Sequence, residues 1–296
     1  MKYVLLLILN LLISTTLQEA YDNASPYGDY EKYIILDPNQ IYMGGIGIYE
    51  GDIYINCQGA IVDLNNQNGI WIYADDDYSA SLEIEYCNII NGAYYGLSFS
   101  GTSTGKISNC NFYNNDFGIK AFDNTNLEIE NSNFIDNQTY GLGIITEYPI
   151  VAISYSNSWN NSNGDYWENC PGWGNIWSPW VPEPGIDLIY QNPDFIDVEN
   201  LNFNYSENSP CIDSGNPNLY DPDGSIRDIG ANVYDSSILG DCNEDSELSV
   251  LDVVYLINNC VLYEYVSFAE CSCSDINQDG EVNILDVVNL VNIILR

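Results

Sequence analysis

Two twelve-residue series near the C-terminus carry oxygen-bearing side chains at spacings that suit a hard cation. The first is Asp241, Asn243, Asp245, Ser249 and Asp252, with Glu247 placed to offer its main-chain carbonyl. The second begins 34 residues later (241 + 34 = 275) with Asp275, Asn277, Asp279, Asn283 and Asp286, and Glu281 holds the equivalent carbonyl position. Calcium takes roughly six to eight oxygens at ~2.3–2.6 Å, and loop positions 1, 3, 5, 7, 9 and 12 supply them. Two Ca2+ sites are therefore expected, with Ser249 and Asn283 acting through a water. Gly280 makes the sharp turn at position 6 of the second loop without strain. Its counterpart Ser246 must reach positive φ with a side chain, which predicts weaker binding by the first loop. So dense a set of carboxylates is costly without a cation.

Other reactive residues are few. The chain has no His, and six Lys+Arg stand against 43 Asp+Glu, a formal charge of −37. A surface this negative repels nucleic acid, anionic lipid and anionic polysaccharide unless a metal intervenes, and it leaves cations and neutral ligands as partners. The absence of His and of paired Cys-x-x-Cys motifs argues against zinc. Paired carboxylates can run a glycosidase without His. Asp75, Asp76, Asp77, Asp116, Asp123 and Asp136 are the candidates, but spacing alone selects no pair among so many acids. After the N-terminal segment the β-helix offers as bases Lys32, Lys106, Lys120 and Arg227; Lys106 and Lys120 fall in neighbouring repeats and read either as a pair that could approach or as solvated surface lysines. Trp159, Trp167, Trp173, Trp177 and Trp180 fall in a Pro- and Gly-rich insertion. They read either as a platform for sugar faces or as a small aromatic core.

The elements that must position these residues follow from a repeat. Between residues 69 and 165 four segments align on Asn88, Asn111, Asn133 and Asn157, advancing by 23, 22 and 24 residues. Gly69, Gly96, Gly118 and Gly141 form a second column. Each repeat holds short alternating stretches, such as Leu82-Glu-Ile-Glu, bounded by Asn, Asp and Gly, which is strand chemistry punctuated by turns. No helix-period stripe precedes residue 248. A period of this length built only of strands and turns predicts stacked coils, a parallel β-helix. Ile84, Ile107, Ile129 and Ile153 then form an aliphatic ladder inside the bore, at a spacing of ~4.8 Å. The Asn column bonds coil to coil. Cys87 and Cys110 share a small-residue column with Ser132 and Ser156, as buried thiols or as a disulfide.

The N-terminus reads as a secretory leader. Met1-Lys2 opens it, Tyr3 to Ile13 is an almost unbroken apolar run, and small or polar residues follow at Ser14, Thr15 and Thr16, with Ala20 as the expected last residue before cleavage. The apolar run is too short to span a bilayer, and no other segment is apolar enough, so no membrane span is expected. Secretion permits disulfides; nine Cys leave at least one unpaired or intermolecular, and Cys242, Cys260, Cys271 and Cys273 crowd a segment that one or two bridges would staple. The divisions are a leader at 1–20, the β-helix at 21–237 and the calcium module at 238–296.

Two resemblances add to this reading. Asn56-Cys57-Gln58-Gly59-Ala60-Ile61-Val62-Asp63 resembles an opening coil of right-handed β-helix proteins with the pectate-lyase-like fold. Asn192-Pro-Asp-Phe195, Ser209-Pro-Cys-Ile-Asp213-Ser-Gly215 and the stretch 221–231 are similar to the closing coils of secreted bacterial β-helix proteins. At the C-terminus the duplicated loop and helix, Leu251 to Asn258 and Leu285 to Asn292, with Asp at position 12, resemble a dockerin. The resemblance implies a cohesin-type partner that meets loop positions 10 and 11. These are Val250, Leu251, Ile284 and Leu285, apolar where many cellulosomal dockerins carry hydroxyls. An intramolecular role, capping the β-helix, is the alternative.

The expected fold class is mainly β: a right-handed parallel β-helix followed by a small α-helical domain of paired calcium loops. Together the resemblances imply an extracellular protein whose β-helix binds or degrades polysaccharide, neutral rather than anionic. Polygalacturonase-like hydrolysis needs a His and is excluded; a glycoside hydrolase, a polysaccharide lyase and a non-catalytic surface or adhesion protein remain open.

Overall fold

The computed structural model describes residues 15–170, 176–182, 185–234, 240–243, 248–262, 275–277, 279 and 281–295 of the 296. The chain forms two compact units, 1–234 and 235–296.

In the first unit each repeat closes into one coil of three strands. Helix α1 (Leu17–Asn23) and strand β1 (Ser25–Tyr27) precede the coils. The first coil comprises β2 (Tyr30–Ile35), β3 (Ile41–Met43) and β4 (Gly47–Ile48), and the second β5 (Gly51–Asn56), β6 (Ile61–Asp63) and β7 (Ile70–Ala74). The third runs through β8 (Ala80–Glu85), β9 (Asn88–Ile90) and β10 (Leu97–Gly101), and the fourth through β11 (Thr104–Ser108), β12 (Asn111–Tyr113) and β13 (Phe117–Ala121). The fifth has β14 (Asn126–Glu130), β15 (Asn133–Ile135) and β16 (Tyr140–Ile144); the sixth has β17 (Ile150–Ser154), β18 (Asn157–Trp159) and β19 (Gly164–Cys170). Equivalent strands pair in parallel, giving a first face from β2 to β17, a second from β3 to β18 and a third from β4 to β19. The molecule is the parallel β-helix expected from the period.

The corners are made by residues in the left-handed region. Gln58, Tyr86, Asn109, Asn131 and Tyr155 turn the chain from the first face to the second, and Asn65, Asn91, Asn114, Asp136 and Asn160 turn it away from the second. Asn and Asp reach this conformation at least cost, which explains their density between strands.

Inside the bore the predicted ladder stands in register: Ile84, Ile107, Ile129 and Ile153, extended upward through Ile55 and Ile34. Phe112 and Phe134 stack at 5.2 Å between ring centroids, and both are fully buried. The cysteine column differs from either expected state. Cys87 is bonded to Cys57 of the preceding coil, while Cys110 remains a buried thiol. Cys57 stands off the column, at the start of a longer corner in which Ala60 holds the column position: Asn88 N donates to the Ala60 carbonyl as Asn111 N does to that of Cys87. Further along the column, Ser132 Oγ accepts from Cys110 N at 3.2 Å and Ser156 Oγ from Ser132 N at 3.1 Å.

The glycine column has a steric cause. A Cβ on Gly118 would lie 2.4 Å from the carbonyl oxygen of Gly141, and one on Gly96 would lie 2.7 Å from that of Gly118. The coils approach too closely there for any side chain.

The Asn ladder is confirmed: Asn111 Nδ2 donates to Asn88 Oδ1 at 2.7 Å, Asn133 to Asn111 at 2.8 Å and Asn157 to Asn133 at 3.0 Å. It lies on the outer side of the second face, yet it is buried, because residues 189–232 lie across it. Asn133 Nδ2 also donates to Tyr205 Oη at 3.0 Å, and Asn88 Nδ2 to Asn232 Oδ1 at 3.0 Å. Residues 195–232 are therefore a strap over the second face, opened by the antiparallel pair β21 (Phe195–Asp197) and β22 (Asn202–Tyr205), rather than closing coils. Only isolated bridges from Ile186 and Ile189 begin a seventh rung. Strand β20 (Ile176–Pro179) pairs antiparallel with β19 and ends the third face.

Helix α1 lies ahead of residue 248, and with Leu17 as its one buried residue it shows no helix-period stripe. Thr16 and Glu19 form a reciprocal capping box, and Leu17 is fully buried in the core of the coils. The motif lies inside the predicted leader. No helix among the described residues is long and apolar enough to cross a membrane.

The second unit contains α2 (Val250–Tyr255), which runs on as a π-helical turn (Leu256–Val261), and α3 (Ile284–Ile294). Its core is Cys242, Val253, Leu256, Val287 and Leu290. Cys260 is disulfide-bonded; Cys271 and Cys273 lie outside the described residues.

Candidate functional site

With the second face covered, the first and third faces are the outer surfaces open to a large ligand, and their chemistry differs. On the third face the outward positions of β7 are Trp71 and Tyr73, alternating with buried Ile70, Ile72 and Ala74. Trp71 is 37% exposed. Its Nε1 donates to Ser100 Oγ at 2.8 Å, and the Tyr49 ring meets it edge-on at 5.4 Å. Beside it lies a groove of about 370 Å3 walled by Trp71, Tyr95 and Phe122, with Asn68, Ser98, Ser100 and Asp123 as its polar groups. A flat ring held by a hydrogen bond beside a few hydroxyl, amide and carboxylate groups suits a sugar: apolar ring face on indole, hydroxyls on the polar edge.

The row through Trp71 continues along the axis. Trp71, Ser98, Lys120, Gly143 and Trp167 are successive partners across β7, β10, β13, β16 and β19. Trp167 stacks on Tyr140 at 5.2 Å. Lys120 Nζ stands 4.0 Å from the Phe117 ring centroid and 3.6 Å from Asp116. Burial pushes the Lys120 pKa down, and Asp116 opposes that shift.

The first face is polar and acidic. Lys106 lies between Glu83 and Glu128 in the strand register, and Ser108 between Glu85 and Glu130. Glu83 Oε1 is 2.8 Å from Lys106 Nζ, and its other oxygen accepts from Tyr30 Oη at 2.6 Å. Burial pushes Glu83 upward, but these hydrogen bonds outweigh it and hold the carboxyl below its ordinary value. The Tyr30 phenol is raised to about 12, chiefly by the bond to Glu83. Tyr54 donates to Glu85, joined by Asn56 Nδ2 at 2.8 Å. Internal pairing occupies much of this face.

The residues singled out in the sequence fare unequally. Lys106 and Lys120 are not brought together: both belong to the fourth coil, but on β11 and β13 they occupy different faces. Asp75 caps its own turn, accepting from Asp77 N at 2.9 Å and Tyr78 N at 3.0 Å. Asp123 and Asp136 are left-handed corner residues, and Asp123 Oδ2 also receives Gly101 N at 2.8 Å. Asp116 pairs with Lys120, so it and Asp123 are the predicted carboxylates nearest the groove.

The insertion's tryptophans whose side chains are described, Trp159, Trp167 and Trp180, are spread over different elements. Trp159 and Trp167 lie in regular strands of the sixth coil, Trp180 packs against the end of the core, and the side chains of Trp173 and Trp177 lie outside what is described. Trp71 was the overlooked one. Its signal was an outward position in an alternating strand of a recognised repeat member.

Arg227 is structural. It approaches Asp221 Oδ1 at 3.2 Å, donates to Tyr220 O at 2.7 Å and lies over Tyr86. Its neighbour Asp228 is buried and accepts from Asp213 N at 2.8 Å and Tyr234 N at 2.6 Å.

In the second unit the described ends of the two oxygen series are bonded alike. Asp252 Oδ1 accepts from Cys242 N at 3.1 Å and Asn243 N at 3.3 Å, and its Oδ2 from Ser249 N at 2.7 Å. Asp286 repeats the pattern with Ile276 N at 2.9 Å, Asn277 N at 3.3 Å and Asn283 N at 2.8 Å. Ser249 and Asn283 cap their helices by accepting from Leu251 N and Leu285 N, so position 9 serves the helix start as well. In the second loop Asp275 Oδ1 accepts from Asp279 N at 3.1 Å, and Asn277 Nδ2 donates to Asp279 Oδ2 at 2.8 Å. Glu281 is exposed. Asp245, Ser246, Glu247 and Gly280 lie outside the described residues. Among the described residues no three His, Cys, Asp or Glu side chains form a metal group by themselves. The predicted sets also draw on Asn, Ser and main-chain oxygens. Val250, Leu251, Ile284 and Leu285 are 64%, 58%, 60% and 56% exposed, despite being apolar.

No curated protein matches the chain. Residues 39–219 match the family described as right handed beta helix region, and this span holds all but the first edge of the six coils and most of the strap. By that match, which extends over more than half its length, the chain belongs to the right-handed β-helix family.

Proposed function

We propose that this is a secreted protein whose β-helix binds neutral polysaccharide along its third face, and whose C-terminal unit is a dockerin-like calcium module that docks to a cohesin-type partner. The observation that carries the first part is Trp71, fixed by Ser100 and Tyr49 at the wall of the groove. The net charge of −37 and the carboxylates of the first face favour an uncharged glycan on the aromatic side. All four basic side chains of the β-helix are engaged: Lys32 with the Tyr21 carbonyl, Lys106 with Glu83, Lys120 with Asp116 and Arg227 with Asp221. That favours binding over elimination. A second reading rests on Lys120, whose depressed pKa beside the groove suits a proton-abstracting base.

Calcium fits the residues of the second unit. Asp241, Asp252, Asp275 and Asp286 are buried, and residues 241–296 hold 11 Asp+Glu against one Arg, so a cation is the natural partner. Asp241, Asn243 and Asp252 would hold one ion, with Asp245 and Ser249 and the Glu247 carbonyl. Asp275, Asn277, Asp279 and Asp286 would hold the other, with Asn283 and the Glu281 carbonyl. The four exposed apolar residues at positions 10 and 11, with Val254 and Val288 one turn on, form matching patches on α2 and α3 that suit a docking face.

The first test is titration of the full chain with cellohexaose, xylohexaose, mannohexaose and laminarihexaose, with polygalacturonate as the anionic comparison. Binding of a neutral hexaose that weakens at least about tenfold in Trp71→Ala is expected, equivalent to about 1.4 kcal/mol. Unsaturated products from any polymer, abolished by Lys120→Met, would establish the second reading. For the C-terminal unit, calorimetry is expected to show two calcium-binding events, removed separately by Asp252→Ala and Asp286→Ala; absence of calcium binding refutes that part.

A further inference from the structure

We propose that the leader is cut between Ser14 and Leu17, not after Ala20, and that α1 stays with the mature protein as the plug of the β-helix's N-terminal end. The inference rests on the secreted reading and concerns the site of processing.

Three contacts tie the residues ahead of Ala20 to the first coil. Leu17 is fully buried among the inward side chains that include Ile34, Leu36, Tyr42 and Ile46. The Thr15 carbonyl accepts from Met43 N at 3.0 Å, and Thr16 forms a parallel bridge to Met43, at the edge of the second face. Thr16 also caps the helix, its hydroxyl accepting from Glu19 N and the Glu19 carboxylate from Thr16 N, both at 3.1 Å. Further along, Lys32 Nζ donates to Tyr21 O at 2.7 Å and lies 4.5 Å over the Tyr21 ring. Among the described residues no coil precedes the first, and Leu17 of α1 packs with its inward residues. A cut after Ala20 would discard Leu17 and leave only Tyr21–Asn23 of the helix, whereas a cut after Thr16 gives up the cap but keeps Leu17 and all of α1.

The sequence independently favours the earlier cut. Signal peptidases want small residues one and three positions before the bond. Ser14-Thr15-Thr16 offers that pair directly after the apolar run, whereas Ala20 has Gln18 at the third position.

The test is intact mass and N-terminal sequencing of the full-length precursor's product, recovered from the medium of a secreting host. A first residue of Thr15, Thr16 or Leu17 is expected. A first residue of Tyr21 overturns the proposal while leaving secretion intact; retention of Met1 defeats the secreted reading itself. In parallel, Leu17→Ser is expected to lower the melting temperature by about 4 °C or more, while Ala20→Gln, which would block a cut directly after residue 20, leaves the cut in place. An unchanged melt for Leu17→Ser overturns the plug.

Discussion

Replacing Gly118 by Ala tests the coil spacing on which every placement in the β-helix depends. Its added Cβ would sit 2.4 Å from the Gly141 carbonyl oxygen, 2.9 Å from Phe134 Cδ1 and 3.2 Å from Phe112 Cβ. Gly118 has an ordinary negative φ, so the cost is steric rather than conformational. An ordinary contact of ~3.4 Å requires the neighbouring backbone to retreat by about 1 Å, out of a strand spacing of ~4.8 Å. That backbone is held on both sides, since Lys120 pairs with Gly143 and Phe117 with Tyr140. Overpacking costs about 1–3 kcal/mol, and an obstacle made of paired main chain belongs at the upper end. For a unit of this size about 3 kcal/mol corresponds to a melting shift of roughly 6–12 °C. Gly143→Ala is the comparison, because the nearest atoms to its Cβ belong to side chains, Phe117 at 2.6 Å and Ile145 at 3.4 Å, rather than to paired main chain. Calorimetry of both variants is the assay. A Gly118→Ala melt within about 2 °C of the wild type would refute the close approach of these coils.

Three further outcomes follow from the same geometry. The Cys57–Cys87 bridge closes a separation of 30 residues, so Cys57→Ser with Cys87→Ser should lose roughly 3–4 kcal/mol in denaturant unfolding; a loss below about 1 kcal/mol contradicts it. Cys110 and Cys211, with thiols pushed up to about 12 by burial, should resist alkylation in the folded chain and react after unfolding. Asp221 is raised to about 6 by burial, and its 3.2 Å contact with Arg227 lacks hydrogen-bond alignment. A raised folded pKa means stability present below the unfolded value of ~3.9 and lost as pH climbs through about 6, by at most about 3 kcal/mol. Asp221→Asn should flatten that limb of the pH–stability curve, and an identical slope in the variant argues against it.

The β-helix was legible because stacking forces equivalence: Ile84, Ile107, Ile129 and Ile153, and the Asn ladder, must repeat to meet their copies one strand away. The strap over the second face was not, since residues 195–232 contact the coils through individual bonds such as Asn133 to Tyr205 and leave no period. The Cys57–Cys87 pair was hidden because Cys57 lies off the repeating column, where Ala60 stands instead; 30 residues separate it from Cys87, against 23 between Cys87 and Cys110. The separation of Lys106 from Lys120 needed the path of the coil, because 14 residues carry the chain from one face to another. The groove was hidden for a related reason. Its walls, Trp71, Tyr95 and Phe122, come from three successive coils, and strand alternation marks each as outward or at a corner without saying that they meet.

The most direct measurement of the central claim is titration of the full chain and of Trp71→Ala with the neutral hexaoses, followed by tryptophan fluorescence and calorimetry. The account predicts that at least one hexaose binds the wild type and that Trp71→Ala weakens it at least about tenfold while its melting temperature stays unchanged. Binding that is indifferent to Trp71→Ala, or no binding of any hexaose by a folded chain, would contradict a glycan groove on the third face.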